Sequence, residues 1–216
     1  MTDPSRIEPV GPVHYPESDG EPMGETDRHI DEMIALREAL KGRYEDVEDV
    51  YVAGNVLLYY EEGNPASRFS PDVLVTFGIP KGPRRVYKVW EEGKAPDFVL
   101  EISSKSTWTV DEGNKKALCR RLGVREYFLF DPEGEYLDPR LQGYRLSDGE
   151  WERITPEPDG AIRTDVLGLR FTVEGDRLRA TDARTGERLL RPEELRQEVQ
   201  ELRQRLAKLG RDRGSD

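Results

Sequence analysis

The sequence predicts an α/β domain in which a mixed sheet is flanked by helices, followed by added antiparallel strands and a C-terminal helix. Three observations carry this reading. An amphipathic helical segment opens the ordered part; apolar strand-like runs then alternate with turn-rich stretches around one further helix; and a heptad-spaced leucine series closes the chain.

Residues 1–25 are rich in Pro, Gly and acids and poor in apolar side chains, the composition of a disordered acidic arm. From Thr26 the pattern changes. Ile30, Ile34, Leu36 and Leu40, in a segment that also holds Met33, Ala35 and Ala39, predict an amphipathic helix capped at its start by Thr26 or Asp27 and ended by Gly42. Strand-like runs follow at Val47–Val52, Val56–Tyr60, Val73–Phe77, Arg85–Val89 and Phe98–Ile102, separated by turn stretches such as EEGNPASRFSPD and FGIPKGPRR. The stretch DEGNKKALCRRLGV reads as a helix opened by Asp111 and closed by Gly123, and Tyr127–Phe130 as a short buried strand. Residues 141–182 hold the short runs GYRL, EWERI, RFTV and RLRAT between Gly, Asp and Pro, which predicts an antiparallel meander and completes a domain over 26–185. The last element, over 190–210, is a highly charged helix in which Leu195, Val199, Leu202, Leu206 and Leu209 recur at spacings of 4, 3, 4 and 3, the seam of a coiled coil or of a helix docked on its own domain.

Composition removes several classes of function. The single cysteine, Cys119, allows neither an intramolecular disulfide nor a cysteine-based zinc cluster, and two histidines, His14 and His29, make a His-rich zinc site a poor fit. Any metal would then rest on carboxylates, which suits Mg2+ or Mn2+. No leader and no apolar run long enough to span a bilayer is present, so the expected location is the cytoplasm, away from any membrane. The net charge is −11; the arm holds six acids and one base, and without it the remainder is still −6. Nucleic-acid surfaces are usually basic, so composition alone does not point to one.

The chemistry is carried by SPDVLVTF (70–77) and PDFVLEISSKST (96–107), each of which sets a carboxylate at or within an apolar strand. In the second, Phe98, Leu100 and Ile102 take one face while Asp97, Val99, Glu101 and Ser103 take the other. A carboxylate inside such a strand is unfavourable unless it is paired or binds a cation, which marks Glu101 as a functional candidate. Phosphodiester cleavage needs a cation on the phosphate, a nucleophilic water and positive charge near the transition state. Asp72, Glu101 and a lysine, Lys105 or Lys115, provide those parts.

Proline–aspartate ahead of one strand, then a strand with Glu-x-Lys, is the signature of PD-(D/E)xK nucleases. The longer string PDFVLEISSKST…D…KKALCRRLGVREYFLFDP, with SPDVLV before it and TDVLGLRF after it, resembles the Uma-type family of restriction endonucleases over about residues 27–175. The resemblance implies a restriction-endonuclease-like mixed sheet, Asp72 and Glu101 as metal ligands for Mg2+ or Mn2+, and Lys115 as the catalytic lysine. Here the chain departs from the signature: Ser103 stands where Glu-x-Lys would put lysine, and Lys105 where the family usually has proline. Lys105, Asp97 and Ser103 are therefore supporting or alternative residues. Asp111 reads as a helix N-cap, Lys116 as a solvated or supporting lysine, and His29 as an ordinary polar residue of the first helix.

The resulting expectation is a divalent-metal-dependent endonuclease acting on nucleic acid, DNA rather than RNA, as a homodimer joined through the C-terminal helix. The alternative is a catalytically inactive nuclease-like binding or assembly protein acting through that same helix, which the acidic charge and the serine at 103 favour. A third possibility is hydrolysis of a small nucleotide, which an acidic surface tolerates better than duplex DNA.

Overall fold

The computed structural model describes residues 13–18 and 26–212, with side chains to Lys208. Helix α1 (Asp27–Arg43) begins at Thr26, whose Oγ1 accepts from the His29 amide at 3.3 Å. Strands β1 (Val50–Ala53), β2 (Leu58–Tyr59), β3 (Arg68–Phe69), β4 (Val73–Phe77) and β5 (Tyr87–Lys88) follow, then the short helix α2 (Val89–Glu92) and strand β6 (Phe98–Ile102). The next helical stretch runs without a break through α3 (Trp108–Val110), a π-helical turn over Asp111–Lys115, and α4 (Lys116–Leu122). Gly123, in the left-handed region at φ 78°, ends it, as a glycine after a helix commonly does. Strands β7 (Glu126–Phe130), β8 (Leu141–Ser147), β9 (Glu150–Arg153), β10 (Ile162–Thr164), β11 (Leu169–Glu174) and β12 (Arg177–Asp182) lead to helix α5 (Pro192–Asp212).

The main sheet has the order β1-β4-β6-β7-β8-β9. Its pairs are antiparallel except β6–β7, which is parallel because the α3–α4 helical stretch carries the chain back across the sheet. The fold is thus the mixed-sheet α/β architecture that the sequence predicts. The expected meander is divided: β8 and β9 extend the main sheet, while β10-β11-β12 form a separate antiparallel sheet. The runs at 56–60 and 85–89 shorten to two-residue strands in a third small sheet, β3-β2-β5.

Side-chain alternation divides the core. Val50, Val52, Val73, Val75, Phe98, Leu100, Phe128 and Phe130 face α1 and the β10–β12 sheet, while Tyr51, Leu74, Val99, Tyr127 and Leu129 pack with Cys119 and Val124 on the other side. The buried face of α1 is His29, Glu32, Met33, Leu36 and Leu40, so Ile34 points outward, a correction to the apolar stripe read from sequence. Part of the expected acidic arm is also corrected. Tyr15 packs edge-on against Tyr59 at 5.0 Å, Tyr59 donates to the Pro16 carbonyl at 2.6 Å, and Arg85 pairs with Glu17. Aromatic contact area and a buried hydroxyl partner hold 13–18 on the small sheet; the rest of 1–25 lies outside the described residues.

The start of α5 is tied to the body by charge. Arg191 reaches Glu32 of α1 at 2.6 Å, and Arg179 of β12 holds both oxygens of Glu194 at 2.8 Å. The Arg179 hydrogen bond first, and the Arg191 amide with it, hold the Glu194 carboxyl down at about 2, against its usual 4.5. A depressed folded value means that this group's stabilisation is complete above pH 4.5 and is lost as pH falls toward 2. Thermal melts across that window should therefore drop more steeply for the parent than for Glu194→Gln; parallel curves would remove this clamp from the account.

Candidate active site

Four elements bring their polar side chains to one end of the main sheet. Asp72 directly precedes β4, Glu101 is the fourth residue of β6, Lys115 closes the π-helical turn, and His29 stands in the first turn of α1. Strand pairing does the first part of this work: β4 and β6 are antiparallel neighbours with Val73 opposite Leu100, so Asp72 falls opposite Glu101. The Ile102 amide donates to Asp72 Oδ2 at 2.7 Å and the Asp72 amide lies 3.4 Å from Glu101 Oε2, which locks the two carboxylates in register.

Gly54 makes this close approach possible. A Cβ at 54 would stand 2.8 Å from the Asp72 carbonyl oxygen and 3.1 Å from Arg37 Cδ. Gly54→Ala must push the Asp72 backbone away, a change expected to reduce stability by about 1–3 kcal/mol. The melting temperature by differential scanning calorimetry should fall in this variant, and an unchanged value would contradict the tight packing.

Lys115 Nζ lies 2.9 Å from Glu101 Oε2 and 2.9 Å from Asp111 Oδ1, one ammonium bridging two buried carboxylates. Burial pushes the Glu101 carboxyl well above its ordinary range against the pull of Lys115, and the charges of Asp72 and Asp111 add to the rise. Burial raises the Asp111 carboxyl as well. Burial also works against the Lys115 charge, but the carboxylates of Glu101, Asp111 and Asp72 outweigh it and hold the ammonium above its usual range. Lys115 is a fixed cation here.

His29 is buried, with Nε2 3.0 Å from Asp72 Oδ2. It is a component of the site that the sequence reading treated as an ordinary helix residue. The available signal was its position one turn before Met33, on the stripe that continues through Leu36 and Leu40. Asp111 is the second such component. Its backbone is helical, in a continuous helical stretch, so it does not cap a helix; its side chain turns to Lys115 and its carbonyl accepts from Tyr127 Oη at 2.7 Å.

The remaining candidates divide. Ser103 is buried on the Glu101 face of β6, with its amide bonded to the Phe130 carbonyl and its Oγ without a hydrogen-bond partner among the described residues. Asp97 sits at the other end of β6, bound to Lys94 at 2.7 Å and to the Phe77 amide at 2.8 Å, a structural role that corrects its supporting assignment. Lys105 is exposed in the turn beyond β6, past the strand's end, and makes no site contact among the described residues. Lys116 turns away, with Nζ 3.2 Å from the centre of the Tyr144 ring.

The donor set fits a hard divalent cation. Glu101 Oε1 is buried and has no hydrogen-bond partner among the described residues, and Asp72 and Glu101 present only oxygens. Among the described residues no group of three or more His, Cys, Asp or Glu side chains forms a ready-made cage. Magnesium needs none, since it commonly takes one or two carboxylates and keeps several waters.

Asp72 at the start of β4, Glu101 on the neighbouring β6 and a lysine delivered from the crossover helix thus meet at one end of a mixed sheet. The chain matches the Uma2 family, described as "Putative restriction endonuclease", over residues 17–174, and it belongs to that family. It is similar to a crystal structure of "a putative nuclease belonging to DUF820" from Anabaena variabilis ATCC 29413, at 18% identity and a TM-score of 0.46, over 66% of this chain and 75% of that one. No curated protein matches the chain. Among the described residues, no helix is long and apolar enough to cross a membrane.

Proposed function

We propose that this protein is a divalent-metal-dependent endonuclease that hydrolyses phosphodiester bonds in DNA. The observation that carries the reading is the meeting of Asp72, Glu101 and Lys115 at one sheet end, with Glu101 Oε1 left without a partner among the described residues. Asp72 and Glu101 would hold Mg2+ or Mn2+, which would supply Lewis acidity to the phosphate and to the attacking water. Lys115, kept cationic by its carboxylates, stabilises charge that develops on the phosphate oxygens. Asp111 fixes the position of Lys115, and His29 fixes that of Asp72.

The choice of DNA rests on the family's description and on a cationic flank beside the site. Arg37, Lys41, Lys81 and Arg84 line a cavity of about 540 Å3 along β1 that also includes Gly54, the residue packed on Asp72. Arg37 and Lys41 pair there with Glu38, a partly exposed pairing of the kind that phosphate can displace, while Arg84 is held by Glu92 in a largely buried pair. The second reading, a nuclease-like assembly protein, is favoured by Lys115 already filling the space between two carboxylates.

Isothermal titration of Mn2+ into the parent, Asp72→Ala and Glu101→Ala, with plasmid nicking on the same samples, decides between them. The proposal expects binding and nicking in the parent and neither in the variants. No heat and no nicking in the parent would sink it and favour the assembly protein.

A further inference from the structure

Helix α5 leaves the body after its first turn and carries its apolar seam into solvent. Leu195 is 52% exposed, Val199 38%, Leu202 50% and Leu206 68%, too much contiguous apolar surface for a helix that serves only its own domain. The charge along α5 is sharply divided. Residues 192–201 carry Glu193, Glu194, Glu198 and Glu201 against Arg196, while 202–208 carry Arg203, Arg205 and Lys208 with no acid. The helix dipole favours acids in a first turn and bases in a last turn, but its influence does not extend to Glu201 and Arg203 at the middle.

We infer that α5 pairs antiparallel with the α5 of a second copy of this chain, the acidic half of each helix lying on the basic half of the other. In that arrangement Leu195 meets Leu206 of the second copy and Val199 meets Leu202, so every apolar residue of the described seam finds an apolar partner. Across the two-fold axis Glu198 meets Arg205 twice, and Arg196 lies beside Arg203, the repulsive pair, also twice. A parallel pair would instead set acidic half on acidic half and basic on basic, with Glu198 near Arg203 as its main attraction.

The body supplies the remainder of the contact. A groove of about 520 Å3 lies between α1 and the start of α5, lined by Glu38, Lys41, Glu45, Leu190, Leu195 and Arg196. Antiparallel pairing brings the second copy's Lys208 to this groove, where the exposed Glu45 offers charge and the exposed Leu190 offers apolar area. The two-fold symmetry makes the interface self-complementary and closed. The pairing stands whether or not the site cleaves DNA.

Sedimentation equilibrium on the full chain at about 50 μM, enough to populate a dimer whose Kd is in the low micromolar range, tests the assembly. The parent is expected as a dimer; Arg205→Glu, which makes both Glu198 contacts repulsive, is expected to weaken it at least tenfold, while Arg203→Glu, which removes the repulsion with Arg196, is expected to tighten it. Orientation is read by mixing two proteins, Leu195→Cys and Leu206→Cys, under mild oxidation; Cys119 is buried and stays out of the reaction. A mixed 195–206 disulfide supports the antiparallel pair. A monomeric parent, a dimer that persists when residues 192–216 are deleted, or only 195–195 and 206–206 links would each overturn it.

Discussion

Glu101→Gln is expected to abolish metal-dependent cleavage while leaving the fold standing. The substitution keeps the shape and the hydrogen-bonding capacity of a side chain whose pocket already disfavours its charge, because burial raises the Glu101 carboxyl well above its ordinary range. What it removes is an anionic oxygen, and a neutral amide is a poor ligand for Mg2+ or Mn2+. Plasmid nicking should fall to the level of chelator-treated protein, a loss of at least about a hundredfold on the scale of a single essential electrostatic contact. The melting temperature without metal should stay near that of the parent, because Asp111 still pairs with Lys115 while the lost ion pair is offset by a side chain that no longer carries charge in the interior. Full activity in Glu101→Gln would remove this carboxylate from the chemistry; a collapsed fold would make its role structural.

Lys115→Met has the opposite signature, a large effect on stability before any substrate is added. Removing the ammonium leaves Glu101 and Asp111 facing each other in a buried pocket with their shared counter-charge gone. Breaking a buried pair in this way costs about 3 kcal/mol, or roughly 6–12 °C in melting temperature for a chain of this size. Protonation of one carboxyl limits the loss. A divalent cation can take over the missing charge, so saturating Mn2+ should restore much of the stability in Lys115→Met and raise the parent's melting temperature less. A variant that melts with the parent and ignores Mn2+ would show that Lys115 neutralises nothing of consequence.

Much of this site is legible in the sequence because strand alternation is a strict rule. Asp97, Val99, Glu101 and Ser103 had to share a face, and a carboxylate among Phe98, Leu100 and Ile102 had to find a cation. The parity rule fixes the face, but it does not say what stands opposite. It could not distinguish Asp97, spent on Lys94 and the Phe77 amide, from Glu101 four residues further on. His29 was hidden for a related reason. The α1 stripe can be drawn through Ile30 and Ile34 or through His29, Met33 and Leu36, and hydrophobicity favours the first while the packing of the β10–β12 sheet against α1 selects the second. Asp111 was masked by local habit, since an Asp ahead of a helical run normally caps it; the continuous α3-to-α4 helical stretch removes the need for a cap and frees the side chain. The division of the predicted meander into two sheets depends on contacts far apart in sequence, such as Ile162 and Phe171 packing under Phe128, which no short window reports.

The anchoring of α1 reaches beyond the part of the chain that the family match covers. That match ends at residue 174. Glu32, one turn from His29, is buried and bonded to the Leu178 amide and the Arg191 guanidinium, and Arg43 at the far end of α1 pairs with Asp182. A protein trimmed at 174 would keep every proposed catalytic residue and still lose β12, baring the apolar surface that Leu178 and Ala180 cover and stranding a carboxylate in the interior. The segment shared with relatives and the segment that folds are different lengths of chain. A minimal folded fragment therefore has to extend at least through Arg191.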